Sequence, residues 1–328
     1  MKKIFLSAIA ALLGAGAAFG QQALSGDLKE QIESVQAAIA KTGAKWTAGE
    51  TNISAAREDW PWLVGFNFET IDAEPIEMGA AEALPPALDW RAANGNFVTA
   101  PRNQKKCGSC WAFAMTGGLE AYTLLKENTP GRDLDLSEQV MLSCSGAGSC
   151  KGGRLTAGFL KSSGLPLEAA YPYNATDSEC SAAAPGWQTG AYKIGTYGSV
   201  SQKVETMKAA LAKYGPLPTA MMVYEDFMHY KEGVYSYATG KRLGGHAVLL
   251  VGYNDEGRYF IVKNSWDLGW GEQGFFRIAY SEVTGKSSFG LSTIAYRAAK
   301  DEVPVGQAAR EAVWTRIAPM FEGLASWK

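Results

Sequence analysis

The sequence predicts an α+β protein built as two successive lobes, helical then sheet-rich, with a cleft between them. Two observations carry this. From Cys110 onward Phe113, Gly117, Glu120, Ala121 and Leu124 share one helical face, and Asn128-Thr129-Pro130-Gly131 stops the run. A second helix is expected near Ser137 and a third after Gly152-Gly153. Beyond residue 190 the pattern changes to short apolar or alternating runs at 191–200, 219–223, 245–252, 259–263 and 274–280, divided by Gly, Asn and Asp, which read as strands. A single helix, 204–214, interrupts them.

The chain opens with Lys2 and Lys3, an apolar run at 4–13, and small residues at Ala18 and Gly20. This predicts a signal peptide over 1–20 and an exported product, secreted or periplasmic. No later stretch is long and apolar enough to span a bilayer. With 47% hydrophobic and 20% charged residues the composition is that of a globular protein. A net charge of −2 without a basic cluster argues against a nucleic-acid partner.

Residues 21–84 stand apart by charge. They carry 11 acidic against 4 basic residues, or −7, whereas the chain from residue 85 carries 22 acidic and 25 basic, or +3. Leu24, Leu28, Ile32, Val35 and Ile39 predict an amphipathic helix ended at Thr42-Gly43. Trp60, Trp62, Phe66 and Phe68 follow as an aromatic patch. The segment is either a small helical subdomain or a removable cover whose aromatics fill a groove. The charge opposition favours the cover, with a boundary near Leu84-Pro85-Pro86. The stretch 303–328 is again amphipathic, with Val313, Ile317, Met320, Phe321 and Leu324 at helical spacing.

The five cysteines are Cys107, Cys110, Cys144, Cys150 and Cys180. Disulfides persist in an exported protein, so an odd number leaves one thiol over. Cys110 sits where a helix starts, with Ser109 as expected N-cap, and the positive end of the helix dipole favours its thiolate. The two histidines are His229 and His246. His229, among aromatics, reads as structural. His246 lies in a strand followed by a turn at 254–257 and a second strand. Counting outward from that turn, His246 and Asn264 face each other to within about one residue of register.

A thiolate, a histidine to hold its proton, a group orienting the histidine and donors for an oxyanion together make a nucleophilic site. Cys110, His246, Asn264 and Gln104 supply one each, with the Cys110 N–H as second donor. The competing reading takes Cys107-Gly108-Ser109-Cys110 as a redox C-x-x-C pair, which would need a strand–helix–strand core ahead of it that the order lacks. A non-catalytic binding protein on the same scaffold would predict loss of Cys110 or His246, and both are present. Two histidines and no paired C-x-x-C sets argue against zinc.

The motifs together resemble the papain family of cysteine peptidases. They are Q-K-K-C-G-S-C-W-A-F at 104–113, C-x5-C-x-G-G at 144–153, G-G-H-A-V at 244–248, V-K-N-S-W-D-L-G-W-G at 262–271 and L-P-P-A-L-D-W-R at 84–91. The resemblance covers 84 to about 297 and implies a two-lobed fold with a helical N-terminal lobe and an antiparallel, β-barrel-like C-terminal lobe. It implies a nucleophile at Cys110, an acid/base at His246, an orienting amide at Asn264, an oxyanion donor at Gln104 and a shielding ring at Trp266. It also implies the disulfides Cys107–Cys150 and Cys144–Cys180. Gly152 and Gly153 would bind an extended substrate by backbone hydrogen bonds. Leu155, Ala220, Ala247 and Ile294 would line an apolar pocket for the second residue before the cut. No cofactor is expected.

On this resemblance the chain divides into a signal peptide (1–20), an inhibitory propeptide (21–84), a peptidase domain (85–297) and a C-terminal extension (298–328). The expected partners are protein or peptide substrates and the chain's own propeptide, in a monomer. W-T-A-G at 46–49 resembles the short propeptides of cathepsin B-like members, which carry a histidine-bearing occluding loop. Here 164–171 is short and no histidine precedes His229, so an endopeptidase is expected. Lys105 and Lys106 stand where small residues are usual, and Gly245 lacks a carboxylate some relatives have there. Protonation of propeptide carboxylates is expected to loosen the cover in acid.

Overall fold

The computed structural model describes residues 26–69, 71–78 and 84–299. The expected signal peptide, Leu24 and the amphipathic stretch 303–328 lie outside the described residues. Chain order is α1 (Gly26–Thr42), β1 (Lys45–Ala48), β2 (Ala87–Asp89), α2 (Cys110–Glu127), α3 (Glu138–Cys144), β3 (Gly148–Ser149), β4 (Gly152–Gly153) and α4 (Gly158–Ser162). Then come β5 (Thr196–Ser199), α5 (Val204–Tyr214), β6 (Leu217–Tyr224), β7 (Tyr230–Tyr235), β8 (Arg242–Asn254), β9 (Tyr259–Lys263), β10 (Phe275–Ala279) and β11 (Ile294–Arg297). The helical lobe precedes the sheet lobe, as the patterning predicts.

Helix α2 is buried on every side rather than on one face, because both lobes close around it: each residue from Cys110 to Leu125 is buried, Glu120 included. Asn128, left-handed at φ 52°, ends it by returning its N–H to the carbonyls of Leu124 and Leu125. Ser109 holds the N-cap position but does not cap through its side chain. Its hydroxyl bonds the Tyr173 hydroxyl instead, at 2.7 Å. Ser137 does cap α3, accepting from the Val140 N–H.

The main sheet runs β1-β7-β10-β9-β8-β2, with β6 also paired to β8. Of the expected run 191–200, only Thr196–Ser199 is strand; it pairs with β11. Strands β2, β7 and β11 carry no clear alternation, and β1, which does alternate, is four residues long. Tyr230–Tyr235 is buried only at its two ends, which hides its period from the sequence.

The β8–β9 hairpin departs from the expected register in two ways. Its loop is 255–258, and Asn254 pairs with Tyr259. A bulge at Val251 then shifts the register, so that Lys263 pairs with Leu249. Asn264 therefore falls across from Val248 rather than His246, a diagonal instead of a direct opposition. The bulge is what places the two on one face. Without the extra residue Asn264 would fall across from Leu249, and His246 would point away.

The leading segment joins the core of the main domain. Leu28, Ile32, Val35 and Ile39 form the buried face of α1, and β1 adds an antiparallel edge to β7. Of the four aromatics expected to fill a groove, Trp60 and Phe66 are buried, whereas Trp62 and Phe68 stay 44% and 47% exposed. The groove is met by backbone rather than by all four rings, as the site geometry makes plain.

Beneath the site lies a buried charge cluster. Glu120 accepts from the Leu136 N–H at 3.0 Å and from the Thr99 hydroxyl, and that hydroxyl accepts from Lys263 Nζ at 2.8 Å. Burial raises the Glu120 pKa and lowers that of Lys263, each opposed by attraction to the other. Lys263→Met would strand a buried carboxylate. Urea unfolding at pH 7 is expected to show a loss of about 3–5 kcal/mol.

Candidate active site

Cys110 lies at the first turn of α2, fully buried, and is the free cysteine. The other four pair as Cys107–Cys150 and Cys144–Cys180. The first bridge ties the loop before α2 to the loop before β4, and Gly108 N–H bonds the Cys150 carbonyl at 2.7 Å. Across the cleft, β8 brings the Ala247 N–H to 3.4 Å from Cys110 Sγ, beside His246.

His246 Nε2 bonds Asn264 Oδ1 at 2.7 Å. The Ser265 N–H donates to the same oxygen at 2.8 Å, which fixes it as the acceptor end of the amide. His246 must therefore carry its proton on Nε2. This leaves Nδ1 as the free base: it makes no well-formed hydrogen bond among the described residues, and the Leu63 backbone lies near it. The Trp266 ring lies over the imidazole, centroids 4.6 Å apart, and His246, Asn264 and Trp266 are all buried.

Gln104 is buried and doubly held. The Ser265 hydroxyl donates to its Oε1 at 2.8 Å, and its Nε2 donates to the Cys107 carbonyl at 2.9 Å. The remaining reach of Nε2 is to the Trp62 carbonyl at 3.3 Å. Ser265 thus orients both Asn264 and Gln104, a role no motif made explicit. Tyr173 is a second residue the sequence hid. It donates to the Gln104 carbonyl at 2.8 Å and packs edge-on against Phe113.

The leading segment runs through this site. Phe66 N–H bonds the Gly245 carbonyl at 2.9 Å; Gly153 N–H bonds the Gly65 carbonyl, and Asn67 N–H the Gly153 carbonyl, both at 2.8 Å. A Cβ on Gly65 would come within 2.0 Å of the Gly108 carbonyl oxygen, so the strand is seated flush on the loop before Cys110. Gly153 is itself constrained: a Cβ there would meet the Trp111 ring at 2.5 Å.

This seating sets the electrostatics. Burial pushes the Cys110 thiol up to about 11, against lowering by backbone groups of Ala247 and Gly65 among others. Burial lowers His246 to about 4, against raising by Asn264 and the Leu63 backbone. The helix-dipole effect on the thiol is outweighed here, because water is excluded from both groups. Thiol and imidazole are both neutral under the segment.

Of the expected pocket residues, Ala220 and Ala247 are cross-strand partners on β6 and β8. Leu155, just beyond β4, and Ile294, on β11, are buried in the same apolar core. Gly152 and Gly153 form β4, and its Gly153 already serves as a backbone docking edge. His229, expected as structural, is buried where the leading segment packs, edge-on to Trp60 at 5.7 Å.

A family model described as papain family cysteine protease matches residues 84–296. A cathepsin L-like proteinase of Fasciola hepatica is 38% identical over 206 residues, covering 60% of this chain and 61% of that protein. Pro-cathepsin H of Mus musculus is 37% identical over 223 residues, covering 64% of each chain. The match thus spans less than two thirds of each relative's own length. Among solved structures, a recombinant stem bromelain precursor superposes with a TM-score of 0.69 at 29% identity, covering 84% of this chain and 90% of that one. Digestive procathepsin L 3 of Tenebrio molitor shares the fold, with a TM-score of 0.69 at 24% identity over 85% of this chain and 89% of that one. The chain belongs to the papain family of cysteine proteases.

Proposed function

We propose that the protein is an exported cysteine endopeptidase made as a zymogen, with residues 21–84 as its inhibitory propeptide. The observation that carries this is the stretch 62–67, whose backbone meets Gln104, Gly153 and Gly245 while Cys110 and His246 lie buried beneath it. A strand in that position blocks the same donors and edges a substrate would need.

Once the segment is gone, the Cys110 proton passes to His246 Nδ1 and the sulfur attacks the scissile carbonyl carbon. Gln104 Nε2 and the Cys110 N–H hold the oxyanion. His246 gives its proton to the leaving amine. Water then attacks the thioester, His246 takes its proton, and the carboxylic acid leaves as the thiol is restored. Asn264 holds the imidazole in the tautomer this needs. Leu155, Ala220, Ala247 and Ile294 select an apolar side chain at the second residue before the cut, and the short 164–171 loop, with no histidine before His229, favours endopeptidase action. Among the described residues no helix is long and apolar enough to cross a membrane. The test is direct. After removal of residues 21–84 the protein is expected to cleave casein and to leave insulin disulfides intact; insulin reduction without casein cleavage would contradict it.

Acid should release the propeptide through His229. Among the described residues its Nδ1 is buried without a hydrogen-bond partner, and Arg57 and Glu225 flank it. Burial first, then Arg57, lower its pKa to about 4, with Glu225 opposing. In the released form it returns toward its ordinary value near 6.5. The open form therefore binds more protons between about pH 6.5 and 4, and the closed form loses stability as pH falls through that window. The lag before activity is expected to shorten from pH 7 to 4.5. His229→Gln should flatten that dependence; an unchanged profile would leave the effect to the carboxylates alone.

A further inference from the structure

We infer that Lys106 and Arg154 are charge-selective ends of the cleft, each taking an acidic side chain on one flank of the scissile bond of a peptide substrate. This rests on the peptidase reading above and adds which substrates the cleft prefers.

The argument starts from the path of the leading segment. Asp59 meets Lys106 Nζ at 2.8 Å, and Glu69 meets Arg154 Nη1 at 3.6 Å. Between them the segment touches Gln104, Gly153 and Gly245 in turn. Residues 60–68 read W-P-W-L-V-G-F-N-F and carry no charge. The segment is thus neutral and largely apolar between its two acids; Asp59 lies in a 3-10 turn (Arg57–Trp62), and the backbone is strand-like where Gly65, Phe66 and Asn67 meet Gly153 and Gly245. Its two ion pairs flank its backbone contacts, one before Trp62 and one after Asn67.

The main domain supplies matching charge at those two places. Among the described residues, Lys106 and Arg154 form ion pairs only with Asp59 and Glu69. When residues 21–84 leave, both cations face the empty cleft unpaired. Each has a second basic residue nearby. Lys105, left-handed at φ 52° and exposed, precedes Lys106; exposed Lys151 lies three residues before Arg154. Arg154 directly follows Gly153, whose backbone docks the strand, so its reach along the strand is set by β4. Lys106 directly precedes the disulfide-bonded Cys107, two residues from Gln104, so its backbone is held in place while its ammonium stays exposed. Asp59 holds the Lys106 ammonium more firmly protonated. Because a cation stands on either side of Cys110, the inference does not depend on which way a substrate runs.

Both cations are partly exposed, so each contact should be modest and screened by salt. The experiment uses internally quenched ten-residue peptides sharing one neutral apolar centre, with Glu or Gln at the third or fourth residue on each side of the cut. The processed enzyme at low ionic strength is expected to show kcat/KM about two- to fivefold higher for each Glu than for its Gln counterpart. The gain should shrink at 0.5 M salt. Lys106→Ala should bring the Glu-to-Gln ratio to about one on a single flank, and Arg154→Ala on the other. Equal rates for Glu and Gln peptides, or ratios that survive both substitutions, would overturn the inference. If none of the peptides is cut, it is the peptidase reading that fails.

Discussion

Cys110→Ala is expected to lower kcat/KM of the processed enzyme by at least about 10⁴-fold, or about 5.5 kcal/mol of transition-state stabilisation. The substitution removes one sulfur from a helix start and keeps Cβ, so the folded state should survive. Nothing else at the site can replace it: the other four cysteines are in disulfides, and Ser109 is engaged with Tyr173. Thermal unfolding of the variant should stay close to that of the parent. This separates loss of the nucleophile from loss of the fold. Retained casein hydrolysis would remove Cys110 from the chemistry.

Gly65→Ala is expected to weaken the hold of the leading segment on the main domain by about 10- to 100-fold. The atoms that a Cβ would strike are backbone atoms of Gly108, the nearest at 2.0 Å, so no side chain can swing aside. Gly108 cannot retreat either, because its N–H is bonded to Cys150 and Cys107 is in a disulfide. Overpacking of this kind costs about 1–3 kcal/mol. The measurement is inhibition of the processed enzyme by a 21–84 peptide added in trans, wild type against Gly65→Ala. The enzyme is identical in both arms, so any change belongs to the peptide. Equal inhibition would mean that the segment does not sit on Gly108 in solution.

Much of this site could be read from the sequence because short motifs place its parts on rigid elements. The first turn of α2 fixes Cys110, and the disulfide beside it braces the Gln104 loop. The diagonal contact of His246 with Asn264 was legible only in outline. Turn chemistry brought the two strands together, but the bulge at Val251 leaves only the weak signature of Gly252 beside it, a glycine that also lets β2 approach closely. Ser265 was hidden for a different reason. Its hydroxyl and N–H act on two partners, Gln104 and Asn264, and Gln104 is 161 residues away. The aromatic patch misled in part. Trp62 and Phe68 looked like groove fillers, yet the groove accepts a backbone, and Gly65 was the residue that mattered. Strands β1 and β7 escaped notice because an edge pair between the leading segment and the main domain needs tertiary contact to define it.

The central claim is that the leading segment keeps Cys110 and His246 buried and neutral, and that its removal lets them form an ion pair. The rate of iodoacetamide alkylation of Cys110, followed from pH 4 to 11, tests this most directly. In the full-length form the rate should stay low and rise only as the pH approaches about 11, the value to which burial pushes the thiol. After residues 21–84 are removed, alkylation should be fast at pH 6–7. The same pH profile before and after removal would contradict the account.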